Sequence, residues 1–364
     1  MSTITGPNTN ESGLVFAFDT GDRGSSFIGK PTVNYISNPT EEMARGEFGQ
    51  YRDLAPTFNT YGLVPYSLSM DIKTNIPGGV YVYMQNGSTS RHGFVGSSVS
   101  ATPTWKRFYF QNLTPSLNDP GTAASTLATY TGYGSGINPT VRNIQLELGA
   151  YSTPFVDGTR TSTQSLIDLT GNNTINVSGV SFDSTGNITF DATDDFLTLG
   201  SDVTFKTTGG WTVESVVYYN SVASGYNNTT SPANFIGAEG IDYNSWYWSV
   251  LDNRLALWNI SPGYWRYGST TLQPNRFYHV TLVSSANGYY YRFYLNGVAE
   301  GGDHVSQVWN PDYSGLKVRY IGKGNNGNPR LVNGKIPVTK IYNRPLLDSE
   351  IYNNFLGYKT RFNL

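Results

Sequence analysis

The sequence predicts an all-β protein of two antiparallel β-sandwich domains, with the first inserted in the second. Short segments of alternating character recur along its 364 residues, such as Tyr66–Ile72 and Val141–Leu148, and each is bounded by Gly, Pro, Asn or Ser. Successive side chains of a strand point to opposite faces, so this alternation indicates half-buried strands. Many short strands at this spacing are typical of sandwiches and barrels. The best helix candidate is Asp348–Leu356, where Ile351 and Phe355 lie four residues apart.

Composition supports this fold class and excludes several functions. The 40 Gly and 27 Tyr suit a β-rich protein with many turns. The net charge of −2 gives no electrostatic case for nucleic acid or an anionic membrane, so neither is predicted as a partner. The chain has no cysteine, which rules out disulfides and thiolate metal sites. No apolar run approaches the ~20 residues of a membrane-spanning helix, and the first residues do not have the pattern of a signal peptide.

The C-terminal part of the chain forms one ordered series of predicted strands. Phe277–Val283, Tyr291–Val298 and Val318–Lys323 precede a closing segment, Gly334–Ile351. The "YLNG" turn, the strand ending in "IG" and the closing "IYNRPLLDSEI" resemble the concanavalin A-like (laminin-G-like) jelly roll in order and spacing. This resemblance implies a binding or structural sandwich more than an enzyme.

An early strand indicates how the two domains are connected. Leu14–Asp19 looks like the opening strand of the laminin-G-like fold, which usually stands directly before a segment such as Leu166–Asn173. Here residues 20–165 separate the two. The sequence therefore predicts an inserted domain, which is tolerated when the ends of a domain lie close together. The alternative is a plain N-terminal arm that does not pair in this way.

The predicted boundaries follow from that insertion. Residues 1–12 are a polar arm for attachment, 13–30 the first strand of the laminin-G-like domain, 31–156 the inserted sandwich and 157–364 the jelly roll.

The inserted block also resembles a known kind of domain. Pro31–Pro39, Trp105–Arg107 and Ile144–Phe155 are similar to the carbohydrate-binding-module-like (galactose-binding-like) sandwich of bacteriophage virion proteins. The two resemblances together imply a virion structural protein at the particle surface, as a capsid decoration, tail or fibre component. Its expected partners are other virion proteins, two more copies of itself in a homotrimer, and glycans of the host surface or the environment.

Acidic pairs of the kind that glycosidases use are missing from the sequence. A retaining pair needs two carboxyl groups ~5–5.5 Å apart, but Glu214 stands alone and Glu239 lies in a Gly-rich segment. The histidines, His92, His279 and His304, are not at metal-ligand spacing, and His279 is interpreted as a packed residue. The chain is therefore predicted not to be an enzyme. The alternatives are a glycan-processing enzyme or a secreted lectin, each with an appended carbohydrate-binding module.

One acidic turn has two interpretations. Asp191, Asp194 and Asp195 lie in a segment that resembles the "FDGTDDYI" turn of the laminin-G-like fold. Their side chains could bond the backbone amides of a tight turn. They could also bind calcium, which takes several oxygen ligands, and calcium is the single cofactor that the sequence leaves open.

Aromatic residues crowd into the stretch 243–267. Sugar C–H faces stack on aromatic rings, and polar side chains bond the hydroxyls. The predicted glycan contacts are Trp246, Tyr264, Trp265, Arg266 and Tyr267. The alternative is that these rings fill the core or a subunit interface, because large exposed aromatic side chains are usually covered by something.

Overall fold

A computed structural model gives the fold. It describes residues 11–36, 38–44, 50–53, 65–86, 90–95, 98–113, 126–131, 135–183, 187–205, 209–220, 233–237, 246–259, 264–285, 290–305, 317–324 and 331–364. Contacts divide the chain into two units. The smaller unit spans Lys30–Thr161, and the larger unit is built from the chain before and after it.

Strands dominate both units, which confirms the predicted all-β fold class. The larger unit begins with β1 (Leu14–Asp19). The smaller unit contains β2 (Thr32–Val33), β3 (Met43–Ala44), β4 (Gln50–Asp53), β5 (Tyr66–Thr74), β6 (Gly78–Asn86), β7 (Ser90–Val95), β8 (Val99–Ala101), β9 (Lys106–Leu113), β10 (Thr126–Tyr130), β11 (Pro139–Leu148) and β12 (Thr159–Arg160). The larger unit resumes with β13 (Leu166–Ile167), β14 (Thr174–Gly179), β15 (Ser181–Phe182), β16 (Ile188–Asp191), β17 (Phe196–Thr204), β18 (Trp211–Tyr219), β19 (Ala233–Gly237), β20 (Trp246–Leu251), β21 (Arg254–Asn259), β22 (Tyr264–Tyr267), β23 (Arg276–Ser284), β24 (Tyr290–Leu295), β25 (Val298–Val305), β26 (Lys317–Ile321), β27 (Asn333–Tyr342) and α1 (Asp348–Phe362).

Two antiparallel sheets form the sandwich of the larger unit. Sheet A has the order β15-β16-β27-β18-β23-β24-β25, and β1 also pairs with β27. Sheet B has the order β13-β14-β17-β26-β19-β20-β21-β22. Alternate residues of both sheets, such as Val213 and Val217 of sheet A and Trp248 and Leu257 of sheet B, meet in one hydrophobic core. Each sheet therefore has an inner face toward this core and an outer face away from it.

Strand β1 is tied to segments that follow it far along the chain. It pairs antiparallel with β27, where Phe18 lies opposite Thr339. The same β27 pairs with β16 at Asn333 and Gly334. Asp168, in the segment predicted to follow β1 in space, accepts a hydrogen bond from the Ala17 N–H at 3.0 Å. This is the pairing expected if the smaller unit is inserted between the first and later strands of the larger one.

Helix α1 is fixed at its start by the closing segment. Arg344 donates two hydrogen bonds to the Glu350 carboxylate, at 2.7 and 2.8 Å. Glu350 also accepts the backbone N–H of Leu347 at 2.8 Å, which satisfies one of the free amides that begin a helix. The order of these residue types in "NRPLLDSE" thus has a local physical cause.

The helix packs on the outer face of sheet A and is longer than the predicted Asp348–Leu356. Tyr358 is buried against Val216 and Val338, and Phe362 packs beside them. These contacts continue the helix past Gly357, since tertiary packing outweighs the weak helix propensity of glycine. No helix in the described part of the chain is long and apolar enough to cross a membrane.

The predicted "YLNG" turn joins β24 to β25 beneath this helix. Asn296 and Gly297 both have positive φ angles, 48° and 79°, as a type I′ hairpin turn requires. A Cβ atom at Gly297 would lie 2.9 Å from the Cβ of Phe355. Glycine is therefore needed for the turn and for the close approach of α1.

The smaller unit has sheets of order β4-β10-β6-β7, with β8 on β6, and β3-β11-β5-β9, together with the pair β2-β12.

A buried polar network explains the "QLELGAYSTPF" segment of the smaller unit. Glu147 accepts hydrogen bonds from the Thr153 N–H at 2.6 Å and the Thr153 Oγ1 at 2.8 Å. Arg160 donates to the same Oγ1 at 2.9 Å. This network fixes the chain between β11 and the end of the unit.

Candidate functional site

Four of the five predicted glycan contacts lie on β22, the edge strand of sheet B, and the fifth, Trp246, lies on β20. In the pairing of β21 with β22, Trp258 is opposite Trp265 and Leu257 is opposite Arg266. Leu257 belongs to the core, so strand alternation places Trp258 and Trp265 on the outer face. Tyr267 lies two residues beyond Trp265 and shares that face. We call Trp258, Trp265 and Tyr267 the aromatic patch.

The rings of the aromatic patch form a short row. The centroids of Trp258 and Trp265 are 5.3 Å apart, with the planes inclined by 53°. Trp265 and Tyr267 are 6.3 Å apart and inclined by 30°. The guanidinium of Arg254 stands 4.5 Å from the centre of the Tyr267 ring. All three rings are half-buried, so each retains surface that a ligand or another protein could contact.

Arg266 lies on the other side of β22. Burial raises the pKa of Tyr291 to about 12, and a hydrogen bond from Arg266 opposes that rise. Tyr291 is a core residue of sheet A. Arg266 therefore points to the interior of the sandwich, and the structure does not bring it together with Trp265 and Tyr267.

Trp246 requires a correction. Its side chain is 1% exposed, it packs against Phe205 and Trp211, and its indole N–H donates to the carbonyl of Lys317 at 3.1 Å. It is a core residue, because β20 turns its even-numbered side chains inward. The prediction also included Tyr264, whose side chain lies outside the described residues. Sequence reasoning did not single out Trp258 for exposure, and its only signal was its place within the aromatic stretch.

The acidic turn that follows β16 brings its three carboxylates together. One oxygen of each of Asp191, Asp194 and Asp195 lies within 4.8 Å of the others. Asp191 Oδ1 accepts the Thr193 N–H at 2.7 Å, and Asp195 Oδ2 accepts the Asp191 N–H at 3.0 Å. Burial and the neighbouring Asp191 raise the pKa of Asp195. The carboxylate oxygens are of the type that calcium prefers, but those of Asp191 and Asp195 already hold the turn through backbone hydrogen bonds, so calcium binding stays a prediction.

A second polar cluster lies on the outer face of sheet A, beneath α1. Glu214 Oε1 and His279 Nε2 are 3.5 Å apart, and both side chains are inaccessible to solvent. Asn354 of α1 donates to Glu214 Oε2 at 2.8 Å. Lys340, 5% exposed, extends over the ring of Tyr358. The sequence signal for this cluster is a titratable residue within each of three strands, β18, β23 and β27. We call Glu214, His279, Lys340 and Asn354 the buried charge cluster.

Electrostatics in the buried charge cluster indicate pairing rather than reactivity. Burial alone would raise the pKa of Glu214, but His279 and Lys340 outweigh it and hold that pKa below its usual value. Burial lowers the pKa of Lys340, and Glu214 opposes the shift. The carboxylate is thus held as an anion among basic groups. Because the helix covers them, these groups have no open face toward a substrate.

Comparison with known proteins matches one part of the chain. Residues 191–352 match the family model described as the concanavalin A-like lectin/glucanases superfamily, of laminin G type. No curated protein sequence matches the chain.

Several solved structures are similar in fold at low identity. A mutant Trypanosoma rangeli sialidase with trans-sialidase activity is 17% identical at a TM-score of 0.38, and the likeness covers 54% of this chain and 31% of that one. The binding domain of botulinum neurotoxin serotype D is 14% identical at a TM-score of 0.39, covering 56% and 50%. The binding domain of Paraclostridial Mosquitocidal Protein 1 is 16% identical at 0.37, covering 53% and 49%. These values do not bear on activity. The two sheets described above agree with the family match: residues 191–352 of the larger unit resemble a concanavalin A-like, laminin G-type domain, which has a lectin-like fold.

Proposed function

We propose that this chain is a non-enzymatic structural protein of a bacteriophage particle, and that its lectin-like domain binds glycans through the aromatic patch. The observation that carries the glycan part is the row of half-buried rings, Trp258, Trp265 and Tyr267, on the outer face of sheet B. Carbohydrates offer apolar C–H faces that pack on such rings. The lectin-like fold of the same unit supports this choice over a purely structural role.

The particle assignment is supported by the sequence resemblances. Ile144–Phe155 resembles the ending of virion sandwiches of the carbohydrate-binding-module type, and residues 2–12 are a polar segment suited to attachment. A trimer at the particle surface would hold several weak glycan sites together, and linked sites gain affinity through effective concentration. The other partners in this proposal are the neighbouring virion proteins.

The non-enzymatic part is supported by the acidic side chains. Glu214 is buried under α1 and bonded to Asn354, and Glu239 lies outside the described residues. In the acidic turn, the carboxylates of Asp191 and Asp195 accept hydrogen bonds from backbone N–H groups of the same turn. A glycan-processing enzyme remains the alternative, and it predicts release of reducing ends from a polysaccharide that the protein binds.

Glycan-array binding of the full chain tests the proposal. Trp265→Ala and Trp258→Ala should each lower glycan binding about tenfold or more, without a comparable loss of melting temperature. Tyr352→Ala is the matched control, since Tyr352 is an exposed aromatic residue (46%) on α1, away from sheet B. Unchanged binding by both tryptophan variants would show that the aromatic patch is an interface or core extension. Reducing-end release from a bound polysaccharide would instead support the enzyme.

The particle assignment has a separate test. A chain that lacks residues 2–12 should fold with an unchanged melting temperature and fail to enter assembled particles, as followed by antibody labelling in electron microscopy. Normal incorporation of the truncated chain would contradict the attachment role of this segment.

A further inference from the structure

The smaller unit carries an exposed face that the glycan proposal does not use. On β5, Leu68, Met70 and Ile72 are buried in the core of this unit. Ser69, Asp71 and Lys73 alternate with them and therefore lie on the outer face of the sheet β3-β11-β5-β9. On the edge strand β9, Arg107 and Tyr109 share this face, because Asp71 pairs with Arg107 and Ser69 with Tyr109.

Aromatic rings and cations alternate along this face. Lys73 Nζ lies 4.4 Å from the centre of the Trp105 ring, and the guanidinium of Arg142 lies 4.1 Å from it. Two residues further along is Arg107, and two beyond that is Tyr109, whose side chain is 57% exposed. We call Lys73, Trp105, Arg107, Tyr109 and Arg142 the basic platform. Cations against the indole stabilise its position and place positive charge beside an aromatic surface.

The positive groups are held in place by their neighbours. Arg107 donates to the carbonyl of Asn143 at 2.6 Å, to Ser69 Oγ at 2.7 Å and to Asp71 Oδ1 at 3.2 Å. These bonds fix the guanidinium, so a ligand would meet it without a large loss of side-chain entropy.

Positive charge exceeds negative charge on the platform. Asp71 lies between Arg107 and Arg142, with Arg142 Nε at 3.7 Å from Asp71 Oδ2, and the exposed Glu42 pairs with Arg142 at 3.0 Å. Three cations thus lie beside two carboxylates among the described residues of this face. Among the described residues, Lys73 has no carboxylate within ion-pair distance. A positive surface on a chain whose net charge is −2 is a local feature rather than a general one.

We propose that the basic platform binds an acidic polysaccharide, with a sugar carboxylate at Lys73, beside the cation-covered Trp105, and a sugar ring against the exposed Tyr109. Rings beside fixed cations match a ligand that is both apolar on its faces and negatively charged. Duplex nucleic acid fits less well, since it is bound by broad basic surfaces that neutralise many phosphates. This site is on a different unit from the aromatic patch, and it does not depend on glycan binding there.

Affinity electrophoresis of the full chain in gels with alginate, a carboxylated polysaccharide, or dextran, a neutral one, tests the platform. Alginate should retard the wild-type chain. Dextran should cause no retardation that depends on the basic platform. Lys73→Gln should weaken alginate binding about tenfold and reduce the slope of log K against log salt by about 1. Tyr109→Ser should weaken binding with an unchanged melting temperature, since this side chain is largely exposed.

Matched controls separate this site from its surroundings. Lys106→Gln removes the same charge from the adjacent residue, but Lys106 pairs with Ile72 and so lies on the other side of β9. It should leave alginate binding unchanged, and so should Trp265→Ala in the other unit. The proposal is overturned if Lys106→Gln and Lys73→Gln act equally, if Tyr109→Ser binds alginate as wild type does, or if duplex DNA is bound as tightly as alginate.

Discussion

The two outer faces of the larger sandwich differ in chemistry, although both are built from antiparallel strands around one core. On sheet A, α1 covers Glu214, His279 and Lys340, and the Glu214 and His279 side chains are inaccessible to solvent. On sheet B, Trp258 and Trp265 stay half-buried at the edge. A charged residue in a strand therefore does not by itself mark an exposed face, because α1 covers the charged groups of sheet A.

The cost of burying charge explains the difference. Moving a charged group out of water costs several kcal/mol unless a partner and hydrogen bonds compensate it. Under α1 that compensation is present, because Glu214 has His279 beside it and a hydrogen bond from Asn354. An aromatic ring carries no charge, so the partial burial of Trp258 and Trp265 requires no compensating ion pair.

The largest expected effect comes from breaking the buried charge cluster. Glu214→Ala leaves Lys340 and His279 beneath α1 without their carboxylate, so we expect the free energy of unfolding to fall by about 3–5 kcal/mol. Urea denaturation followed by circular dichroism measures it. The control Asp202→Ala breaks a pair with Lys317 that is partly exposed (26% and 49%) and should cost about 0–1 kcal/mol. Similar losses for both variants would show that α1 does not seal this cluster.

Substitution of two tryptophans then compares how much the inner and outer faces of sheet B contribute to stability. Trp246→Ala removes a ring that is 1% exposed, so it should cost about 3–5 kcal/mol. Trp265→Ala removes a half-buried ring and should cost about 1 kcal/mol. Thermal unfolding of both variants checks the pair. A loss at Trp265 as large as that at Trp246 would place Trp265 in the packing of the unit and weaken its role as a ligand contact.

Alternation along the chain was enough to predict the fold class, but it could not decide which face of each strand is buried. In β20 the pattern shows that Trp246 and Trp248 share a face, yet only the pairing of the sheets shows that this face is the core. The pair of Glu214 and His279 joins strands that are distant in sequence, so no local pattern contains it. For α1, the prediction stopped before Gly357, because contacts of Tyr358 with sheet A are not visible in the sequence.

Low pH should reduce the stability that the buried charge cluster of sheet A contributes more than the stability that the outer face of sheet B contributes. The folded pKa of Glu214 is lowered from its usual 4.5, so its contribution to stability is present above that value and is lost as pH falls through the lower, folded pKa. Between about pH 5 and pH 3 the wild type should lose more unfolding free energy than Glu214→Gln, which cannot titrate. Chemical denaturation across this range measures both curves. Parallel curves would mean that Glu214 is not held as an anion under α1.

The smallest expected effect on stability comes from removing the inserted unit. This experiment tests whether the two outer faces belong to one sandwich that folds without the insert. The ends of the insert are adjacent, since Thr32 pairs with Arg160 and Val33 with Thr159. On the side of the larger unit, Phe27 pairs with Leu166. Replacing residues 31–160 with a short Gly-Ser linker should therefore leave the remaining chain folded, with a melting temperature within a few degrees of the wild-type transition of this unit. Glu214→Ala should cost the same in this shortened chain as in the full one, because distant and independent sites are additive.

A second truncation completes the excision experiment. Removing residues 1–30 together with the insert also deletes β1, whose Phe16 and Phe18 are fully buried in the core. This chain should fail to fold, as judged by loss of near-ultraviolet circular dichroism and of a cooperative transition. If the chain with the linker also fails to fold, the larger unit needs its insert. The contrast between the two outer faces could then not be assigned to one sandwich alone. If both chains fold, β1 is a dispensable arm, and the pairing of β1 with β27 contributes little to holding sheet A together.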